Sequence, residues 1–472
     1  MPTEEDLVFL GARQLAADIG AGELSAREVL DAHLRRIERV NPAVNAIVTL
    51  IADRAMEQAV RADQLAASGG PLGPLHGVPI AHKDTNMTAG IRTTLGSPVF
   101  ADQIPDHDDL VVARLRAAGA ISMGKTNVPE FGAGAHTFNP LFGPTRNPYA
   151  LDRSAGGSSG GAAAAVATGM QPLADGSDFG GSLRFPASFC NVVGLRPSAG
   201  RVPAYPAALG WAWLPVDGPI ARTVADVAFG LSVMAGPDDR SPLSLPEPGE
   251  VFSAALDRDP AGLRVAYSTD LGGTLPVDPE VRAVIAAAAG VFERLGAHVT
   301  EDCPDLSGAN DCFRTLRAAS FAYTLGPLVD AHPGLIKQTV VENVAAGRRL
   351  SAADIMAAQE QRTTLYRRMR AFFDSYDVLA LPVSQLPPFD VDLEFPTEID
   401  GTATPHYLDW MRSCTDISAT GLPALSVPAG FTRDGLPVGL QLVGRWHGDF
   451  DLLQIGHAFE QATQHGQHRP RM

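Results

Sequence analysis

The stretch from Gly156 to Pro197 reads GGSSGGAAAAVATGMQPLADGSDFGGSLRFPASFCNVVGLRP, and it is the most informative part of the chain. Two serines, Ser158 and Ser182, each follow a pair of glycines, with a helix-forming alanine run between them. Because glycine has no Cβ, such turns let several backbone N–H groups converge on one point. A serine at that point can act as a nucleophile beside donors that stabilise an oxyanion.

The segments around this stretch predict an α/β architecture. Gly77 to Lys83 (GVPIAHK) is typical of a short strand ending at a lysine, and an amphipathic helix and a buried strand are expected at 109–118 and 120–124. Near the N-terminus, Ser25 and Glu28 form a capping-box pattern, and that helix should end before Asn41. We expect residues 44–60 to be largely helical. Further strands are expected at 263–267, 298–299, 376–382, 424–427 and 439–443, and further helices at 279–295, 310–376 and 451–463.

The composition argues against several classes of protein. The chain of 472 residues has a net charge of −16, so it lacks the basic footprint of a nucleic-acid-binding protein. Four cysteines without CxxC spacing favour reduced thiols in a cytoplasmic protein, and the absence of an HExxH pair predicts no metal site. No apolar run approaches the ~20 residues that span a bilayer, and the acidic N-terminus does not resemble a secretory signal. We therefore expect no membrane partner.

Several blocks of the sequence resemble the amidase signature family, whose members hydrolyse C–N bonds. They include GVPIAHKD, GGSSGG, DFGGSLR and GLPALSVPAGFTRDGLPVGLQLVG. A serine needs a base, and the glycine-rich stretch contains no histidine; the resemblance implies instead a relay of Lys83, Ser158 and Ser182. It also implies a small-molecule amide and water as reactants, no cofactor and no metal. The family fold is one α/β/α domain around a large, mostly parallel mixed sheet.

The resemblance assigns roles to the residues around the two serines. It implies a cis peptide bond between Gly157 and Ser158, with Ser159 and an Asp178–Arg184 pair in support. It also implies an oxyanion hole made by the backbone N–H groups of Phe179, Gly180, Gly181 and Ser182. A lysine can serve as the base only if burial lowers its pKa from ~10.4, so we expect Lys83 to be buried and uncharged in the resting enzyme.

We expect one domain over 1–472, as a monomer or homodimer. The segments are an N-terminal helical part (1–65), a catalytic core (66–235), a variable and largely helical substrate-side region (240–415), and C-terminal strands with a helix (416–472). The chain departs from the family's frequent GTDTGGSIR at Ser177 and Phe179, and from a frequent Asn at Ser418. These departures favour a free-standing amidase or aryl acylamidase over the A-type amidotransferase subunit that feeds ammonia to misacylated tRNA.

The sequence indicates less about the substrate than about the reaction. Met87, Phe138, Phe142, Trp211 and Trp213 are candidates for an apolar acyl or aryl pocket, although they could equally be ordinary core or lid residues. No cluster of Arg or Lys marks an anionic substrate. Amides, anilides, carbamates (a urethanase activity) and esters all remain open, since one kind of tetrahedral intermediate serves them all. Two alternatives remain: a non-catalytic homologue, and a subunit of a glutamine-dependent amidotransferase.

Other motif readings are weaker. Gly156 to Gly160 also fits the G-x-S-x-G nucleophile elbow, but residues 150–155 do not read as the buried strand that this elbow requires. Ser122 to Lys125 fits S-x-x-K without the accompanying S-D-N or K-T-G motifs. The GGSSGG loop lacks the ending of a phosphate-binding P-loop. We expect Lys125 and His82 to be structural.

Overall fold

The computed structural model of the protein describes residues 3–472. Its strands are β1 (Ile47–Leu50), β2 (Pro79–Lys83), β3 (Ile121–Thr126), β4 (Arg146–Asn147), β5 (Ala150–Ser154), β6 (Leu173–Asp178), β7 (Val193–Arg196), β8 (Val216–Ala221), β9 (Arg264–Tyr267), β10 (His298–Glu301), β11 (Val378–Pro382), β12 (Glu398–Ile399), β13 (Thr402–Ala403), β14 (Ala424–Phe431) and β15 (Pro437–Val443).

The α-helices alternate with these strands in the first and last parts of the chain and dominate the third quarter. They are α1 (Glu4–Val8), α2 (Ala12–Gly20), α3 (Ala26–Val44), α4 (Ala52–Ala67), α5 (Leu110–Ala117), α6 (Gly160–Ala167), α7 (Arg184–Phe189), α8 (Val224–Met234), α9 (Pro279–Arg294), α10 (Ala309–Thr324), α11 (Gly326–Ala331), α12 (Gln338–Arg348), α13 (Ala352–Ser375), α14 (Arg412–Thr420) and α15 (Asp449–Thr463).

The central sheet has eight strands in the order β10-β9-β11-β15-β14-β7-β8-β6. It is mixed, as predicted, but the parallel pairings do not predominate. Within residues 3–472 they are confined to one end, where β9 pairs in parallel with β10 and β11; the other neighbours pair antiparallel. In the antiparallel part, β14 and β15 form a hairpin, and the other neighbours are joined by longer connections, which a strand–helix alternation does not reveal.

A smaller sheet carries the predicted lysine. Its order is β1-β3-β2, with β2 parallel to β3 and β1 antiparallel to β3. The expectation of a largely helical segment over 44–60 was therefore wrong in its first part, because Ile47–Leu50 pairs with β3 before α4 begins. The apolar, β-branched sequence IVTL was the signal for that strand.

The capping box at α3 is confirmed. The Ser25 hydroxyl accepts from the Glu28 N–H at 3.1 Å, and the Glu28 carboxylate accepts from the Ser25 N–H at 2.9 Å. The helix does not end before Asn41 but continues through Pro42 to Val44. A proline in the last turn removes a single N–H, and the Asn41 side chain ties down the chain that follows by accepting from the N–H groups of Ala46 and Ile47.

One cluster of buried apolar residues extends from Leu7 to Phe459, so both ends of the chain contribute to the same core. This supports the prediction of one domain; the boundaries of the predicted segments stay predictions. Residues 150–154 do form a strand, β5, but Leu151 and Asp152 in it are exposed. The buried strand that a nucleophile elbow would need is therefore not there.

The fold brings the two glycine-serine turns together. Strand β2 ends at Lys83, β6 ends at Asp178 just before the second turn, and α6 begins at Gly160 directly after the first. Helix α6 is buried over its whole length, so only small residues fit. At Gly161, for example, a Cβ would lie 2.3 Å from the backbone nitrogen of Asn127.

Gly124→Ala should destabilise the fold. Its Cβ would lie 2.0 Å from the carbonyl oxygen of Thr49 in the neighbouring strand, and backbone cannot move away cheaply. We expect a loss of about 1–3 kcal/mol in the free energy of unfolding, the usual cost of overpacking. Denaturant unfolding measures it. The matched control is Gly290→Ala in α9, where a Cβ meets nothing closer than 3.7 Å; equal losses in both variants would contradict the prediction.

Candidate active site

Lys83 lies at the end of β2 and is fully buried. Its Nζ donates to the Ser158 hydroxyl at 2.8 Å and to the Ser177 hydroxyl at 2.8 Å. The carbonyl oxygen of Ser177 lies 3.4 Å from the same Nζ. The structure thus joins Lys83 to Ser158 by a hydrogen bond. It adds Ser177 as a second partner of Lys83, a residue that the sequence analysis noted only as a departure from the family pattern.

A backbone hydrogen bond joins the two glycine-serine turns. The peptide bond between Gly157 and Ser158 is cis, as the resemblance implied, and the Ser159 N–H donates to the Ser182 carbonyl at 3.3 Å. Ser158 and Ser182 are both buried, with exposed fractions of 2% and 6%. In the described part of the chain no hydrogen bond joins the two hydroxyls, and the link between them belongs to the proposal below.

The loop after β6 presents backbone N–H groups around Ser182. Those of Phe179, Gly180 and Ser182 have no hydrogen-bond partner within residues 3–472. The Gly181 N–H differs from the prediction, because it donates to Asp178 Oδ1 at 2.7 Å and is already engaged. Gly181 has φ +117°, and a Cβ there would lie 2.4 Å from the Phe185 ring, so the turn requires glycine.

A buried carboxylate organises this loop. Asp178 accepts from Arg184 Nε and Nη2 at 3.0 Å each and from Arg196 Nη1 at 3.1 Å, which confirms the predicted pair and adds a second arginine. Burial by itself raises the pKa of Asp178, but the charges of the two guanidinium groups outweigh it and hold that pKa far below its usual range. Asp178 also accepts from the Leu183 N–H at 3.2 Å, so the ion pair fixes both ends of the turn.

Arg184 connects this loop to the C-terminal part of the chain. Its Nη2 donates to the Ser418 hydroxyl at 2.7 Å, and its Nη1 donates to the Cys414 carbonyl at 3.2 Å and to the Gln441 side chain. Ser418, noted as a departure from the family's frequent Asn, therefore acts as an acceptor for a supporting arginine. Ser159, another predicted supporting residue, contributes through its backbone, since its buried hydroxyl has no partner within residues 3–472.

The charge of Lys83 differs from the prediction. Burial lowers its pKa, while Asp217, Asp178 and Asp175 raise it, and the result is a pKa of about 8. At pH 7 only about one lysine in ten is then neutral, whereas above pH 8 most are. Lys83 is buried as expected, but it is uncharged only on the alkaline side of its pKa.

Asp217 is a residue near Lys83 that the sequence analysis missed. It is the partner of Ser177 in the antiparallel β6–β8 pairing, so both side chains lie on the same face of the sheet. Burial, then Asp109, raises the pKa of Asp217 to about 7. Two strands that meet only in the folded sheet bring it to Lys83, and no local motif could have indicated this.

His82 and Lys125, which we expected to be structural, are both engaged by buried neighbours. The ring of His82 is fully buried and lies between Asp175 Oδ1 at 2.8 Å and the Ser122 hydroxyl at 2.9 Å. Lys125 Nζ donates to the Thr88 hydroxyl at 2.7 Å and to the Asn86 carbonyl. Ser122 and Lys125 do not bond each other, which removes the S-x-x-K reading.

The five candidate pocket residues differ in their exposure and in the residues that they contact. Trp211 is 73% exposed, and Trp213 packs on Trp446 with 5.6 Å between ring centroids. Phe138 and Phe142 lie against cations, Lys337 and Arg92 respectively. Met87 is half-buried and accepts from Gln103 through its sulfur at 3.3 Å. Their contact with substrate stays a prediction.

Phe179 has a more definite position. Its ring packs edge-on against Phe313 and Phe321, with centroid separations of 5.8 and 6.5 Å. Phe321 in turn belongs to an apolar cluster that includes Ala133 and Phe131. The loop of residues 131–133 passes close to Ser158, since a Cβ at Gly132 would lie 3.4 Å from Ser158 Oγ. Phe179 and the 131–133 loop thus form two walls beside the two serines.

Neither a metal site nor a membrane span is found in residues 3–472. No group of three or more His, Cys, Asp or Glu side chains there is placed to hold a metal ion. No helix in this part of the chain is both long and apolar enough to cross a membrane.

The family model for amidases matches residues 28–453, nearly the whole region just described. The chain belongs to the amidase family. An acylamidase of Rhodococcus erythropolis is 39% identical over 464 residues, which cover 97% of this chain and 96% of that protein. The A-type subunit of a glutamyl-tRNA(Gln) amidotransferase from Synechococcus sp. (strain CC9605) is 38% identical over 478 residues, 95% of this chain and 96% of its own.

Among solved structures, a bacterial aryl acylamidase of the amidase signature family is similar to this amidase with a TM-score of 0.91. The two are 32% identical, and the match covers 97% of each chain. The resemblance inferred from the motifs is therefore confirmed, and the protein is an amidase-family hydrolase of amides.

Arg184→Met should strongly destabilise this amidase. The change removes one of two counter-charges from a fully buried carboxylate, and breaking a buried pair typically costs about 3–5 kcal/mol. Denaturant unfolding of the purified variant measures the loss. The control is Arg35→Met, which breaks partly exposed pairs with Glu4 and Asp31 and should change stability little. Similar midpoints of denaturant unfolding for both variants would contradict the role assigned to the Asp178–Arg184 ion pair.

Proposed function

We propose that this amidase hydrolyses a linear amide through an acyl-enzyme on Ser182, with Ser158 and Lys83 as a proton relay. The observation that carries the proposal is the 2.8 Å hydrogen bond between Lys83 Nζ and Ser158 Oγ in a fully buried setting. A lysine with a pKa of about 8 can exchange a proton near neutral pH, which an exposed lysine cannot do efficiently.

The reaction follows from this placement. The Ser182 oxygen attacks the amide carbonyl while its proton passes to Ser158, and the Ser158 proton passes to neutral Lys83. The oxyanion accepts hydrogen bonds from the free N–H groups of Phe179, Gly180 and Ser182. When the C–N bond breaks, the proton returns from Lys83 through Ser158 to the leaving amine. Water then attacks the acyl-enzyme by the same relay and releases the acid and Ser182.

We propose small amides, anilides and related carbamates or esters with an apolar or aryl group as substrates. The aromatic contacts of Phe179 support an apolar wall beside the reacting carbonyl. The names of two similar proteins, an acylamidase and an aryl acylamidase, support the same class. Cytoplasmic location, a monomer or homodimer, and independence from cofactors stay predictions.

The A-type amidotransferase subunit is the second candidate, because a relative with that name is 38% identical over nearly the full length. In that role the chain would release ammonia from glutamine to a partner. The two functions differ in a simple assay. The purified chain alone should hydrolyse an acyl para-nitroanilide, whereas a subunit would need its partner for turnover.

Ser182→Ala should abolish turnover without unfolding the protein, and Lys83→Ala should lower kcat by several orders of magnitude. We expect a fluorophosphonate to label Ser182 stoichiometrically in the wild type and not in Lys83→Ala, because the serine needs its base. Peptide mass spectrometry locates the label. Label on another serine, or full activity in Lys83→Ala with normal circular dichroism, would exclude the relay.

Asp217→Asn should move the acidic limb of the kcat/KM–pH curve to lower pH. The base is neutral Lys83, so activity rises as pH increases through its pKa of about 8. The Asp217 carboxylate raises that pKa, and removing its charge lets Lys83 lose its proton at lower pH. Asp217→Glu keeps the charge and should keep the wild-type limb. A uniform loss of activity at every pH would instead mean that Asp217 acts only through structure.

A further inference from the structure

Arg317 on α10 is a buried cation without an anionic partner in the part of the chain that the structure describes. It is 5% exposed, and the hydrogen bonds of its side chain go to one neutral group: Nε and Nη2 both donate to the Tyr407 hydroxyl, at 3.1 and 2.9 Å. The same hydroxyl also accepts from Asn343 Nδ2 at 2.9 Å. Within residues 3–472 no carboxylate oxygen lies within 4.0 Å of its nitrogens.

Arg317 differs in this respect from Arg184 and Arg201, but buried Arg36 likewise pairs with no carboxylate within residues 3–472 and donates to the Thr168 carbonyl at 2.7 Å. Arg184 and Arg201 each pair with a buried carboxylate, Asp178 and Asp449 respectively. A guanidinium group does not lose its proton in proteins, so burial without a counter-charge is expensive. Aromatic faces offset a part of that cost: the Arg317 guanidinium lies 4.0 Å from the Phe321 centroid and 5.6 Å from that of Phe179.

Arg317 is connected to the candidate site through Phe179 and Phe321. Phe179 precedes the nucleophile by three residues, and its N–H is one of the free donors beside Ser182. Phe321, one helical turn after Arg317, packs on Phe179 and on the cluster that contains Ala133, next to the Gly132 backbone at Ser158. The guanidinium therefore lies against two aromatic rings, of which Phe179 belongs to the turn that carries Ser182 and Phe321 packs on the cluster beside Ser158.

A second cation, Lys337, lies near Arg317, together with the carboxylates of Glu394 and Glu130, which raise the pKa of Lys337. Burial is the main cause that lowers the pKa of Lys337, and the charge of Arg317 lowers that pKa further. Lys337 Nζ lies 4.3 Å from the Phe138 centroid and pairs with Glu394 at 3.2 Å, but Glu394 is partly exposed and does not reach Arg317. The sequence analysis found no Arg or Lys cluster for an anionic substrate, because these two cations lie on different segments and meet only in the fold.

We propose that Arg317 binds a carboxylate on the substrate, so that the amide hydrolysed at Ser182 carries an anionic group beyond its apolar or aryl part. Two N–H groups on one side of a guanidinium match the two oxygens of a carboxylate, and a bound carboxylate supplies the missing counter-charge. This inference rests on the proposed function and specifies its substrate class: N-acyl or N-aryl amides that end in a carboxylate.

Matched substrates test it. One pair is the glutaryl para-nitroanilide and its isostere in which an isopropyl group replaces the carboxylate; the other is the acetyl anilide with a para-carboxylate or a para-isopropyl group. The wild type should prefer the anionic member of at least one pair in kcat/KM. Arg317→Met should reduce that preference roughly 10- to 100-fold while leaving the neutral member within about threefold, as expected for a charge-assisted contact.

Arg314→Met is the matched control. Arg314 lies on the same helix but pairs with Asp409, so its loss should leave the preference unchanged. Arg317→Lys keeps the charge and should restore part of the preference. Equal loss on both members of each pair in Arg317→Met, or a wild-type preference for the neutral members, would overturn the proposal.

Direct binding separates this inference from the proposed function. Calorimetry on Ser182→Ala with glutarate and with para-acetamidobenzoate needs no turnover. Binding of either compound that is lost in Ser182→Ala/Arg317→Met but kept in Ser182→Ala/Arg314→Met supports the carboxylate site even if the wild type hydrolyses none of the anilides, in which case only the proposed function fails. Hydrolysis of the neutral anilides, with neither carboxylate binding at millimolar concentration, leaves the function standing and removes the anion site.

Discussion

The burial of Lys83 between two serine hydroxyls is the constraint on which the site depends. A charged ammonium group in a dry interior costs free energy, and here that cost is reduced by hydrogen bonds to Ser158 and Ser177 and by three carboxylates at longer range. The balance leaves the pKa of Lys83 at about 8. In the proposed relay, stronger pairing would keep Lys83 charged and unable to accept a proton from Ser158, whereas weaker pairing would lower the pKa of Lys83 further.

The ion pairs of Asp178 with Arg184 and Arg196 fix the turn that carries Ser182. Two buried arginines hold one carboxylate, which in turn holds the N–H groups of Gly181 and Leu183. The remaining N–H groups of the turn stay free beside Ser182. Because Arg184 also bonds Ser418, the position of the turn is coupled to α14, far away in sequence. In the proposed mechanism, these free N–H groups would stabilise the oxyanion without reorganisation.

Much of the local structure could be predicted from patterns in the chain. The helix from Ala26, the strand that ends at Lys83 and the two glycine-serine turns follow from capping residues, apolar runs and glycine placement. Two of the errors concern strand pairing. Residues 47–50 form a strand because β3 offers them a partner, and the central sheet is mainly antiparallel because distant segments pair there. Local sequence does not encode which strands become neighbours.

By itself, the sequence determined the family to which the chain belongs and the local features that indicate it: two serines in glycine-rich turns and a lysine after a strand. Only the tertiary structure decided the charge state of Lys83, the engagement of the Gly181 N–H by Asp178, the position of Asp217 opposite Ser177 and the isolation of Arg317. The physical reason is that reactivity depends on which groups lose water and which charges come close. Both are set by packing between residues tens to hundreds of positions apart, whereas a motif records only the identity of the groups.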